Sequence, residues 1–264
     1  VEGTEGVRGV LRPEGGAGRF TLARHACGQD LAPFVDYYWI VRWDLRGEPP
    51  HEQSILPHPC VHLVFEAEGP AVYGIDTKIF TRRLIGQGKV LGVRFRPGCF
   101  RPFSPRPVSR LNDTVVPAAS LLGRGVASAN EAVMAADADE EMISVAAGLL
   151  REIRPARDRV AEQVAAMVER ITADLALRRV GDLTAAFGLT ERKLQRLFSE
   201  YVGVSPKWVM RRARLHEAAL RANSGEAVDW AMLARDLGYA DQSHLTRDFT
   251  ATIGAPPARY TASA

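Results

Sequence analysis

From residue 20 to about 98, apolar and polar positions alternate in short runs punctuated by turns. Residues 36–45 read Asp-Tyr-Tyr-Trp-Ile-Val-Arg-Trp-Asp-Leu, an aromatic and β-branched stretch that predicts a strand. Further strands are predicted at 54–56, 60–65, 71–75, 82–85 and 90–96. Pro49-Pro50 and Glu68-Gly69-Pro70 break the chain between them. Several short strands with frequent turn signals predict a small β-barrel or sandwich. Its interior is either filled by side chains or holds one small ligand. Residues 1–19, with Gly15, Gly16 and Gly18, predict a mobile tail. The segment 97–117 carries five prolines and predicts irregular structure.

From residue 129 the period becomes helical. Val133, Met142, Ile143, Val145, Leu149 and Leu150 form an apolar face over 129–154. Arg154-Pro155 ends that run, and a new amphipathic helix is predicted at about 156–177 on Val160, Val164, Met167, Val168 and Ile171. A third long helix is predicted at 206–222, with Trp208, Leu215, Ala218 and Ala219 on one face.

One pattern occurs twice around that third helix. Leu183, Gly188, Leu194, Arg196, Phe198, Gly203 and Pro206 are matched by Leu233, Gly238, Leu245, Arg247, Phe249, Gly254 and Pro257. Gly188 and Gly238 each end an apolar helical run, where a left-handed residue is cheapest. Thr190 and Asp241 then stand as N-caps of a second run. Each copy predicts helix, tight turn, helix: a helix-turn-helix. A single copy is weak evidence, since many helical hairpins carry such a glycine. Two copies with matched positions are far more specific.

On these residues, 156–260 resemble the AraC/XylS family of bacterial transcription regulators. The resemblance rests on Leu194-Gln-Arg-Leu-Phe198, Gly203-Val-Ser-Pro206 and Arg214-Leu-His-Glu-Ala-Ala-Leu220. It rests also on Leu233-Ala, Gly238-Tyr, Ser243, Arg247, Phe249, Gly254, Pro257 and Tyr260. The N-terminal half resembles, more loosely, the β-rich sensor domain of many members, through Tyr38-Trp39, Leu56-Pro57, 61–65 and 92–98. The resemblance implies an α+β chain: a tail at 1–19, a sensor domain at 20–128, a helical linker at 129–155 and a DNA-binding domain at 156–264. It implies a bacterial DNA-binding regulator, not an enzyme, with no cofactor. Its partners would be double-stranded operator or promoter DNA, a small-molecule effector and RNA polymerase. By match to the family, Arg192, Gln195 and Arg196 face DNA in the first unit. Gln242, Ser243, Thr246 and Arg247, with His244 at the edge, do so in the second. Arg pairs bidentately with guanine and Gln with adenine. The departures are Thr250 and Thr261, where the family often carries Lys and Arg. The apolar face at 129–154 must be buried somewhere, on the β domain of the same chain or on the same helix of a second chain; a dimer is favoured, partly because sensor domains of this family often pair.

Charge changes this picture little. The net charge is +3, with 15 Lys+Arg against 12 Asp+Glu from Arg159 onward and 19 against 19 before it. The excess lies in the C-terminal part but is modest for a nucleic-acid binder. Cys27, Cys60 and Cys99 are scattered and odd in number, which points away from a disulfide framework and to a reducing cytoplasm. Nothing is long and apolar enough to predict a membrane span.

Candidate chemistry in the N-terminal half is sparse. Trp39 and Trp43 share one strand face, a stripe that is usually core and otherwise the aromatic wall of an effector pocket, to which His62 is also assigned. His58, Cys60 and His62 alternate and would share a strand face, which suits zinc or copper; the core reading of Cys60 is preferred, and no metal is assigned. Arg94 and Arg96 read as a solvated face. No phosphate loop or nucleophile motif is present. The rival readings are a cupin-like metalloenzyme fused to a DNA-binding domain, and a constitutive regulator whose β domain only pairs.

Overall fold

A computed structural model describes residues 9–175, 177, 179–224 and 227–261. Among the described residues the N-terminal half holds eight strands: β1 (Thr21–Ala26), β2 (Val35–Leu45), β3 (His51–Ile55), β4 (His62–Phe65), β5 (Ala71–Tyr73), β6 (Phe80–Leu84), β7 (Gly86–Phe95) and β8 (Val115–Pro117). Six form an antiparallel sheet in the order β1-β2-β7-β4-β5-β8, and β3 pairs with β6 in a separate ribbon. The expected barrel is therefore not closed; the sheet and the ribbon face each other across a cavity.

Strand period decides what each face does. On β2, Tyr38 and Ile40 are buried, while Tyr37, Trp39, Val41 and Trp43 are half-buried on the other face. The buried phase meets Leu91, Val93 and Phe95 of β7 and Leu63 and Phe65 of β4. Two helices cover that side: α2 (Gly125–Ala135) and α3 (Asp139–Glu152), after the short α1 (Ala119–Leu122). Met142, Ala146, Leu149 and Leu150 of α3 are buried there, so the apolar face expected to seek a second chain is covered by this chain's own sheet.

The proline-rich segment is irregular as expected, with 3₁₀ turns at Arg101–Phe103 and Val108–Leu111 held by buried Phe103, Val108 and Leu111. Its end departs from expectation, because Val115–Pro117 joins the sheet as an edge strand, where a terminal proline is tolerated. Of the expected tail, residues 1–8 lie outside the described residues. Val10 and Leu11 are not mobile tail but buried, and Val10 bridges to Ile55.

The C-terminal half is helical: α4 (Arg159–Ala173), α5 (Val180–Phe187), α6 (Glu191–Leu197), α7 (Pro206–Ala222), α8 (Trp230–Asp236), α9 (Gln242–Ile253) and α10 (Pro257–Thr261). A π turn over Phe198–Val202 extends α6. Asp158 caps α4 by accepting from the amides of Val160 and Ala161. Gly188 (φ 61°) and Gly238 (φ 74°) make the two left-handed turns. The side chains of Thr190 and Asp241 accept from the amides of Lys193 and His244 and start the helices that follow. α7 joins both units. Val209, Met210 and Ala213 lie in an apolar cluster continuous with the sheet core. Leu215, Ala218, Ala219 and Ala222 lie in a second cluster with Leu233, Leu245, Phe249 and Tyr260.

Candidate nucleic-acid interface and sensor cavity

Leu194, Leu197 and Phe198 are buried and fix the inner face of α6. The 3.6-residue period then places Arg192, Lys193, Gln195 and Arg196 outside, and all four are exposed. On α9, Leu245 and Phe249 are buried. Gln242, Ser243, His244 and Arg247 are exposed, and Thr246 is half-buried. A surface ion pair of Arg247 with Asp248 or Asp241 is the structural alternative to DNA contact. Asp248 instead meets Arg211 at 2.7 Å and the Tyr239 hydroxyl at 3.1 Å, while Asp241 accepts from the His244 amide at 2.7 Å. Arg247 makes no ion pair among the described residues; its Nε donates weakly to the Ser243 carbonyl at 3.4 Å. The hydroxyls of Thr250 and Thr261 turn back to the carbonyls of Thr246 and Pro257, which gives these two positions no cation to offer phosphate.

The second site lies between sheet and ribbon. It is a mostly apolar cavity of about 220 Å³ whose walls include Trp39, Trp43 and His62, the three residues expected there. Trp39 pairs across strands with Gly92, and Trp43 with Gly88. A Cβ on either glycine would fall inside the facing indole, so each ring lies flat over bare backbone. The indole N–H groups are already used: Trp39 donates to His62 Nδ1 at 3.0 Å and Trp43 to the Ile85 carbonyl at 3.1 Å. Burial, with the charge of Arg94, pushes the His62 pKa down to about 3, which keeps Nδ1 free to accept.

His58, Cys60 and His62 do not form a strand face. Only His62 is in a strand, and the three are engaged separately. His58 stacks on His216 of α7 with ring centres 3.8 Å apart, Cys60 lies beside Arg94, and His62 binds Trp39. Among the described residues no group of three His, Cys, Asp or Glu could hold a metal ion. Burial raises the pKa of Cys60 and so disfavours the thiolate a metal would need.

Residues 183–263 match the model of a helix-turn-helix domain family, and residues 23–117 that of a domain of unknown function (DUF6597). The C-terminal domain is a helix-turn-helix domain of the AraC type. That domain has the two-unit form described above. No curated protein matches the chain. Among solved structures, ToxT from Vibrio cholerae at 1.65 Å resolution is 10% identical over 93% of this chain and 98% of its own, with a TM-score of 0.44. ToxT described as bound to an unsaturated fatty acid is 12% identical over 96% and 92%, with a TM-score of 0.40. A likeness this loose carries no argument about ligand or mechanism. No helix among the described residues is long and apolar enough to cross a membrane.

Arg94 was expected on a solvated face and is a correction. Its side chain is 14% exposed and lines the cavity. It donates to the Tyr37 hydroxyl at 2.7 Å and pairs with Asp36 at 3.2 Å. Arg96 is also tied down, to Glu169 of α4. Arg24, Tyr37, Gly88 and Gly92 are cavity-forming residues that sequence reasoning missed. The available signal was a shared spacing: two tryptophans four apart and two glycines four apart on strands of like length.

Proposed function

We propose that the chain is a sequence-specific transcription regulator that reads operator DNA with α6 and α9 and responds to a small molecule held in the N-terminal cavity. The observation that carries the DNA half is the pair of exposed arrays on α6 and α9, both mounted on α7. Second helices of such units enter the major groove, and two units on one helix suit successive grooves roughly 34 Å apart. The effector half is supported by the cavity and by its contact with α7. His58 in its wall stacks on His216, and His216 Nε2 lies 3.2 Å from the Pro57 carbonyl. A ligand that shifts the 57–58 segment would therefore move the helix that carries both readers. RNA polymerase is a further partner of this reading, and so is a second copy on a paired half-site, joined through a surface other than the buried side of α3.

Mapping binding sites across the genome would supply the operator. On it, Arg196→Ala and Arg247→Ala should each weaken binding by about 1–3 kcal/mol, with smaller losses on random DNA. Equal losses on both DNAs would leave phosphate contact as their only role. If Gln242→Ala and Arg247→Ala both leave operator affinity unchanged, α9 is structural and α6 alone reads sequence.

A further inference from the structure

We propose that the N-terminal half takes part in DNA binding: Arg106 and Arg110, on the proline-rich segment after β7, contact backbone phosphates beside the groove that α6 enters. This rests on the DNA half of the reading above and extends it to a surface outside both helix-turn-helix units. Where that segment lies comes first. The exposed stripe of α6 does not stop at Arg196. Ser199, in the π turn that extends the helix, is exposed and stands three and four residues on from Arg196 and Gln195, so it continues their face. The Ser199 hydroxyl lies 3.3 Å from that of Ser109, in the 3₁₀ turn Val108–Leu111. Around this contact Arg101 pairs with Glu200 at 2.6 Å, and the Asn112 side-chain amide donates to the Gly203 carbonyl at 2.7 Å. A Cβ on Gly203 would meet Val108 at 3.1 Å, so backbone and side chain are in close contact there. The segment is thus seated against the C-terminal end of the reading face. When a recognition helix enters the major groove, its N-terminal residues meet bases, and in homeodomains its C-terminal end meets the sugar–phosphate backbone.

What the segment offers comes second. Arg101 is spent on Glu200. Arg106 and Arg110 are exposed, and their guanidinium groups make no hydrogen bond or ion pair among the described residues. Both stand on fixed backbone. The buried Ser104 hydroxyl accepts from the Arg106 amide at 3.1 Å and donates to the Arg106 carbonyl at 2.9 Å. Pro105 and Pro107 flank that residue with locked φ. The Arg110 amide donates to the Pro107 carbonyl at 3.0 Å, in a turn anchored by buried Val108 and Leu111. A guanidinium fork suits phosphate oxygens, and a rigid mount lowers the ordering cost of the contact. Charge supplies the third argument. Over 179–205 the first unit sets Arg179, Arg192, Lys193 and Arg196 against Asp182, Glu191 and Glu200, a thin excess for meeting a polyanion. In the second unit Thr250 and Thr261 add no cation. Two uncommitted arginines beside the α6 stripe raise the positive charge where the duplex would lie. An acidic protein surface would suit the same two side chains, but their place at the end of that stripe favours DNA.

Titration of the full chain with operator and with random duplex, over a series of salt concentrations, tests this. The double variant Arg106→Gln, Arg110→Gln should bind operator about fivefold or more weakly, lose as much on random duplex, and show a salt slope smaller by about one for each arginine removed. The double variant Arg106→Lys, Arg110→Lys keeps the charges and should recover most of the affinity. Arg46→Gln is the control. Arg46 follows Leu45, which pairs with Gly86 at the opposite end of β7 from Phe95, roughly 30 Å from where the segment starts, so it should change nothing. Neither arginine is bonded in the fold, so melting should not shift in either double variant. Unchanged DNA affinity and salt slope overturn the inference, and if transcription from the operator still changes, the two arginines meet a protein instead. Tighter binding by the glutamine variant overturns it too, since the segment would then shield α6. A loss confined to operator overturns phosphate contact in favour of base reading. A wild-type chain that binds no duplex overturns the DNA reading itself, whereas a wild type that binds and variants that match it sink this extension alone.

Discussion

His62 shows how one side chain ties the cavity to pH. Its ring accepts from Trp39, which requires an unprotonated Nδ1, and burial together with Arg94 lowers its pKa to about 3. An unfolded His titrates near 6.5. The unfolded chain therefore binds more protons than the folded one between those values, and stability falls as pH drops through that window. At pH 5 the loss attributable to His62 is up to about 2 kcal/mol, an upper figure because one face of the ring opens on the cavity. Urea unfolding at pH 7 and pH 5 should show that loss, and His62→Gln should flatten it. An unchanged pH slope in the variant would assign the acid sensitivity to other groups. The same residue scale shows what sequence could give. Alternation puts Trp39 and Trp43 on one face, but it reads as core as readily as cavity wall, and it does not link them to His62 on another strand. Arg94 was not legible as a cavity residue, because alternation separates two faces without saying whether one meets solvent. Here both faces of β7 are covered, one by the core and one by the cavity.

Helix starts and stops were the most legible elements, because capping is local chemistry. Thr190, Asp241, the turn at Gly188 and the extent of α7 all stand where the pattern put them. The N-cap Asp241 carries particular weight. Its carboxylate satisfies the His244 amide at 2.7 Å at the start of the helix that bears Gln242, Ser243 and Arg247. Asp241→Ala should cost about 0.5–2 kcal/mol of stability. It should also weaken operator binding more than the stability loss explains, because fraying of the first turn disorders the side chains proposed to meet bases. Circular dichroism melts beside operator titration would check this, and Asp241→Asn should restore most of both. Strands were less legible at their ends. The run from residue 60 was expected to be extended throughout, but Pro57 and Pro59 keep 57–61 out of the sheet, and β4 starts only at His62. That irregular segment is what lets His58 leave the strand and reach α7.

At the scale of the molecule, the two halves are joined by specific polar contacts as well as shared core. Arg212 donates to the Thr77 carbonyl at 2.8 Å, Asn112 to the Gly203 carbonyl at 2.7 Å, and Arg101 pairs with Glu200 at 2.6 Å. None of this was legible, since contacts this far apart in sequence leave no local period. The expectation of a pairing face on 129–154 went astray for the same reason: a helical stripe says that a face is buried, not by what. The least local contact gives the sharpest prediction. Leu11 is 6% exposed and sits with Leu56 in the cluster formed by Leu215, Leu233, Leu245 and Phe249, so the N-terminal segment completes the core of the second helix-turn-helix. Beside it the Arg12 amide donates to the Tyr260 hydroxyl at 3.0 Å, and Tyr260 in turn donates to Asn223 at 3.0 Å. A buried leucine truncated to alanine typically costs about 2–5 kcal/mol, and Leu11→Ala should fall in that range. The loss should appear as faster hydrogen exchange in α8, α9 and α10, with α2, α3 and the six-stranded sheet unaffected. If exchange instead rises evenly over the whole chain, the segment stabilises the molecule globally, and the second unit does not depend on it in particular.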